Sequence, residues 1–217
     1  MFNMRDIVLE IIRELDERDK VRERVLSLSR DVVRYSGFAI RSMQRGKMDD
    51  AEENLRKAKK CLEEMVSVAE RYVDFIFKGF ASTAFQEYAE ACLLHSFMKG
   101  ERMPSPKELN VPNVSYLMAL GDFVGELRRS VLISMKEKRF GDAERAVNLM
   151  EEIYLSMMLI DHPEVIALGF KHKCDVARSL LEKTRAEFLL VLQEERLTRK
   201  LEEFMKQLGW KKNEVQH

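Results

Sequence analysis

Residues 79–98 read GFASTAFQEYAEACLLHSFM and carry two charges, the acids Glu87 and Glu90. The chain as a whole is 34% charged, so this stretch stands apart. At about 100° per residue, Phe85, Ala89 and Cys92 fall within about 40° of one another, with Tyr88 beside them. Glu87 and Glu90 point away, at about 200° and 140° from Phe85, on a side that also carries Phe80, Leu94 and Met98. A helix that is apolar on both sides belongs inside a helical protein. A second stretch, LNVPNVSYLMALGDFVGEL (109–127), repeats the pattern with Asp122 and Glu126 as its charges.

Working outward, the four prolines are Pro104, Pro106, Pro112 and Pro163. Proline breaks helix interiors, so long segments on either side are free to be helical. Leu, Met, Ala, Glu, Lys and Arg favour helices, and strand alternation with NG or DG turns is absent. The chain therefore reads as all-α, a single-domain bundle of about seven helices. The expected helices cover roughly 3–18, 20–45, 50–77, 79–98, 114–138, 142–159, and 163 to beyond 200. Residues 100–113 hold three of the prolines and read as a loop. Pro163 suits a first helical position. The bundle is expected over 1–190, with a helical extension and a loose tail, LGWKKNEVQH, over 191–217. RGKMDDAEENLRKA (45–58) echoes RFGDAERAVNLM (139–150); two divergent copies read as ordinary helix joints rather than a repeat array.

Composition excludes several classes. Lys plus Arg is 37 and Asp plus Glu is 37, a balance that names no partner until it is read by position. Cys61, Cys92 and Cys174 are odd in number and far apart, which argues against a disulfide framework and a zinc knuckle. No run of 18 apolar residues suggests a membrane span, and the charged N-terminus lacks a signal-peptide core, so a cytoplasmic protein is expected. No Walker loop, GxGxxG or Ser/His/Asp arrangement appears.

The acidic pairs have i,i+3 (Glu87, Glu90) and i,i+4 (Asp122, Glu126) spacing, which puts each pair on one helix face. Carboxylates on low-charge helices need compensation, since burial disfavours their ionised form. A hard cation such as Mg²⁺ or Mn²⁺, which prefers oxygen ligands, supplies it. One loop joins the two helices, so an antiparallel hairpin would bring the pairs together, with Gly121 and Gly125 allowing close backbone approach. His95 shares the first helix and reads as a hydrogen-bonded core histidine or a neighbour of the site. The alternative is two solvated acidic faces, with Arg128 or Arg129 neutralising Glu126.

Residues 18–47 hold nine basic residues against three acids. Arg30, Arg34, Arg41 and Arg45 fall within about 60° of helix face, and Gly37 lies inside the stripe. Such a line with a glycine gap suits a phosphate backbone; a solvated amphipathic face is the other reading.

FQEYAEA (85–91) followed by GDFVGELRR (121–129), with a proline-bearing loop between, resembles the translin and translin-associated factor X (Trax) family. SRDVVRYSGFAIRSM (29–43) is similar to the family's basic second helix, and KHKCDVARSLLEKT (171–184) to its last long helix. The resemblance implies an all-α subunit of a hollow, barrel-like octamer enclosing single-stranded RNA. It also implies that Glu87, Glu90, Asp122 and Glu126 are the catalytic acids of the Trax type, a Mg²⁺-dependent endoribonuclease. The expectation is thus a metal-dependent nuclease acting on single-stranded RNA inside a homo-octamer. The four acids would hold Mg²⁺ or Mn²⁺, and Arg30, Arg34, Arg41 and Arg45 would grip the nucleic acid. A non-catalytic oligomer binding single-stranded RNA or DNA, and a helical adaptor, are the competing expectations.

Overall fold

The computed structural model describes residues 3–75 and 79–208. Among the described residues it forms eight α-helices, one 3-10 turn and no strand, so the all-α expectation holds. The helices are α1 (Met4–Gln44), α2 (Met48–Val68), α3 (Phe80–Lys99), α4 (Pro106–Leu109), α5 (Asn113–Lys136), α6 (Phe140–Met157), α7 (Pro163–Ala167) and α8 (Phe170–Gln207). No helix among the described residues is long and apolar enough to cross a membrane.

The boundaries depart from the sequence reading in four places, each with a local cause. The first two expected helices are one, α1, 41 residues and about 60 Å long. The charged string around residue 19 contains neither proline nor glycine, and charge alone does not end a helix. Asn3 caps the start, its side chain accepting from the Arg5 N–H, and the turn at Gly46 (φ 72°) follows the end. Helix α2 stops at Val68 rather than near 77, and a 3-10 turn follows at Val73–Phe75. There Arg18 bonds Asp74 at 2.6 Å and lies over the Tyr72 and Phe75 rings. The proline-rich loop contains α4, built by a capping box in which Ser105 and Glu108 bond each other's backbone N–H groups. The last expected helix is two, α7 and α8, divided at Gly169 (φ 86°), a conformation that disfavours a Cβ. The expected loose tail falls mostly on residues 209–217, outside the described residues.

Two compact units divide within α5, the first ending at Phe123 and the second beginning at Val124. In the first, Val25, Leu28 and Val32 of α1 cluster with Ala58, Leu62 and Met65 of α2, Phe85, Tyr88 and Ala89 of α3, and Ala119 of α5. In the second, α6 and α8 pack together. Ala143, Ala146, Val147 and Met150 recur at helical spacing on α6, and Cys174, Ala177, Leu181 and Phe188 on α8, all buried. The two echoed segments are the turns that enter α2 and α6, and neither Lys47 nor Arg139 makes a side-chain cap bond there. Cys61, Cys92 and Cys174 are free thiols.

Candidate acidic site and arginine groove

Helix α3 is buried around most of its circumference. Ala81, Ala84, Phe85, Tyr88, Ala89, Ala91, Leu93, Leu94 and Phe97 are all core residues. The side that the sequence assigned to the acids is only partly open, since Leu94 on it is fully buried. Thr83 and Met98 are exposed there, Glu87 is half-buried, and Glu90 is buried at 8% exposure. Thr83 and Glu87 are one helical turn apart.

Asp122 reaches this region from α5, where its Oδ2 accepts a hydrogen bond from the Gln86 amide. Phe97 and Phe123 meet edge to face, 6.5 Å between ring centroids. Helix α3 therefore meets the first half of α5 at Gln86 with Asp122 and at Phe97 with Phe123. Glu126 follows Asp122 by one turn on α5, in the second unit, and its backbone carbonyl accepts from the Ser130 hydroxyl at 3.1 Å. Arg128 reaches α8, donating to Thr184 Oγ1 at 2.7 Å and pairing with Glu187 at 2.9 Å.

Other sequence candidates sort differently. His95 turns to α2, with Nε2 3.4 Å from Glu52 Oε1, and Lys99 Nζ lies 3.0 Å from the same oxygen. Lys99 first, and His95 second, hold the Glu52 carboxyl below the usual carboxylate range. His95 thus joins a polar cluster with Glu52 and Lys99. Gly125 is not required for close approach, because an added Cβ meets no atom within 4 Å among the described residues. Gly37 has the Arg41 side chain as its neighbour. A Cβ there would stand 3.3 Å from an Arg41 guanidinium nitrogen, so the Arg41 side chain lies close over the glycine.

Arg30, Arg34, Arg41 and Arg45 are all exposed. Arg34 pairs with Asp31 at 2.9 Å and lies 4.9 Å from the Tyr35 ring centroid. Arg41 lies 4.9 Å from the Phe38 centroid. A cavity of about 340 Å³ is lined by Ser29, Arg30, Val33 and Arg34 of α1 and by Thr83 of α3. Two of the four arginines therefore share a groove with the residue one turn before Glu87. The sequence reading missed Thr83, Tyr35 and Phe38. The aromatics were legible as rings interleaved in an arginine run, whereas the Thr83 pairing depends on how α1 and α3 meet.

Among the described residues, no three His, Cys, Asp or Glu side chains gather as a group able to hold a metal by themselves. The donor chemistry nevertheless suits a hard cation, since Glu87, Glu90 and Asp122 offer carboxylate oxygens. Mg²⁺ usually takes only one or two carboxylates and completes its shell with water and substrate phosphate.

An all-helical protein with an acid-bearing buried helix beside an arginine-lined groove is the class that these features define. The chain belongs to the Translin family, which it matches over residues 20–187. It is 33% identical to an uncharacterised protein of Methanocaldococcus jannaschii over 184 residues, 84% of this chain and 82% of the relative. Among solved structures it is similar to AfC3PO in complex with duplex RNA, with a TM-score of 0.79 and 30% identity over 86% of this chain and 97% of that one. AfC3PO by itself gives a TM-score of 0.77 at 29% identity over the same shares, 86% and 97%. Apo-NeC3PO, at 21% identity and a TM-score of 0.75 over 88% and 98%, shares the fold.

Proposed function

We propose that this chain binds RNA along the arginine face of α1 and cleaves it at the carboxylates of α3 and α5. The observation that carries the reading is the groove lined by Arg30, Arg34 and Thr83, which opens one helical turn from Glu87. Similarity to a protein solved with duplex RNA supports RNA as the ligand. Arg30 and Arg34 would hold phosphates with little regard to base, since phosphate contacts position without specifying. Glu87, Glu90 and Asp122, with Glu126 one turn beyond Asp122, are the proposed catalytic acids. Gln86 orients the Asp122 carboxylate through its amide. When bound there, Mg²⁺ or Mn²⁺ would supply Lewis-acid polarisation of the scissile phosphate and a more acidic water. The chain is proposed to act as a homo-oligomer, with an octamer expected from the family resemblance.

A second reading has its own support. Because no three acidic side chains among the described residues form a ready metal group, a non-catalytic RNA-binding oligomer is the competing function. One experiment separates the two. Wild type, Glu87→Gln and Asp122→Asn are incubated with end-labelled single-stranded and duplex RNA, with Mg²⁺ or with EDTA. The nuclease reading expects cleavage that needs Mg²⁺ and falls in both variants while binding survives. Binding without cleavage in wild type establishes the second reading, and cleavage that persists in EDTA rejects the metal assignment. Light scattering on the same preparation reports the oligomer.

A further inference from the structure

The arginine face carries an aromatic that the RNA reading does not by itself explain. Phe38 is 42% exposed and lies outside the core. It sits between Arg34 and Arg41 along α1, about 6 Å from the first and about 4.5 Å from the second measured along the axis. Tyr35 meets it at 6.5 Å with a 66° interplanar angle, which braces one side of the ring. Arg41 stands 4.9 Å from the ring centroid and lies close over Gly37. Arg34 stacks in the same way on Tyr35. The result is a run of cation, ring, ring and cation along α1, with Arg34, Phe38 and Arg41 exposed and Tyr35 partly buried against the core.

At 42% exposure Phe38 leaves much of its ring in water, and helix propensity offers no reason to place it there. Beside cations it has a specific use. Proteins that hold single-stranded nucleic acid combine a positive track for the backbone with aromatic rings on which bases stack. An A-form duplex offers no free base face, because its bases are stacked inside and only backbone and minor-groove edges are reachable. The two chemistries of this run therefore suit different parts of one ligand.

We propose that Phe38, braced by Tyr35 and flanked by Arg34 and Arg41, is a stacking site for one unpaired nucleobase. RNA with a single-stranded stretch across this part of α1 is then preferred over fully paired RNA. The inference rests on the RNA-binding reading and adds to it the residue that tells unpaired from paired RNA. It gives the arginines to either form of RNA and reserves the ring for the unpaired form.

The test compares wild type, Phe38→Ala, Phe38→Trp and Arg30→Ala/Arg34→Ala for affinity to a short single-stranded RNA and a blunt duplex. Phe38→Ala is expected to weaken single-strand binding about tenfold, the loss of one stacked base. Its duplex affinity should stay within about twofold, as only phosphate contacts remain there. Phe38→Trp should retain single-strand affinity, and its added fluorescence relative to wild type should be quenched by single-stranded RNA but not by duplex. Arg30→Ala/Arg34→Ala should weaken both ligands. Single-strand affinity unchanged in Phe38→Ala, or equal losses on both ligands, overturns the stacking site. A Phe38→Ala protein with altered oligomeric mass and unaltered RNA affinity also overturns it, assigning the ring to a contact between copies. Wild type that binds neither RNA defeats the underlying reading instead, an outcome distinct from all of these.

Discussion

Helices α1 and α3 pack against each other in the first unit, yet they treat charge in opposite ways. The outer face of α1 displays four arginines in water, where a charge costs little to maintain and adds little to stability. Helix α3 has two charged residues before its final Lys99, and one of them, Glu90, is buried at 8% exposure. A charge in that setting stays ionised only where surrounding groups compensate for lost water. The contrast teaches that the two faces should fail differently. Substitutions on α1 should weaken ligand capture and leave the fold intact, whereas substitutions on the acid face should affect chemistry first.

The largest expected effect is on the acid face. Glu87→Gln keeps shape and removes charge, and cleavage should fall by about 10²- to 10⁴-fold, the range for a positioned acid or base. RNA affinity should change little, because Arg30 and Arg34 are untouched. If the variant cleaves normally but binds poorly, the division of labour between the helices is wrong. Gln86→Leu is the next step down. It removes the amide that bonds Asp122 and should lower cleavage by about 10- to 100-fold, as loss of a group that orients a ligand does. Its signature is a shifted dependence of rate on Mg²⁺ concentration with RNA affinity retained, which a purely structural glutamine would not produce.

The α1 side yields a smaller effect of a different kind. Arg30→Ala should weaken RNA binding uniformly across sequences. It should reduce the slope of log affinity against log salt by about 0.7 for a single strand. Its melting temperature should match wild type within about 0.5 kcal/mol of stability, as expected for an exposed position. Arg128→Ala is the control for what an arginine does when it is not on that face. Its side chain is only 17% exposed and ties α5 to Thr184 and Glu187 of α8. Losing such charge-assisted bonds costs about 1.5–3 kcal/mol, so this variant should melt early. A cooler melt in Arg30→Ala than in Arg128→Ala would invert the comparison.

The sequence carried the faces of these helices better than their meetings. Period 3.6 read α3 as a buried helix apolar on both sides, and the burial of Phe85 and Ala89 on one side and of Leu94 on the other agrees. The all-α class followed from where the prolines stand. The string SPKE at 105–108 holds a capping-box pattern that a loop reading passes over. The break at Gly169 was harder, since a glycine within a helical pattern is tolerated as often as it divides one. What local pattern could not supply was register between helices. Nothing near Arg30 or Arg34 announces Thr83, about fifty residues on, as the third wall of their groove. Gly37 shows the same limit at short range. Its position in the stripe was legible, but the close approach of the Arg41 guanidinium to it required the rotamer.

Gly125 offers the smallest effect and a sharp question about the acid side. It lies within about 60° of Asp122 on α5, and an added Cβ there meets no atom within 4 Å among the described residues. Gly125→Ala should therefore stabilise the helix by up to about 1 kcal/mol, the difference in intrinsic propensity, read as a higher melting temperature. RNA affinity and cleavage should stay within twofold. The stabilisation follows from the backbone alone, so its absence would mean that unfolded-state effects or a contact with another copy dominate at this position. A warmer melt accompanied by lost cleavage would be more instructive. It would mean that RNA or its counterion uses the open space beside Asp122, so that α5 too works through solvent-facing surface, as α1 does. The opposition between a buried chemical face and an exposed binding face would then belong to α3 alone.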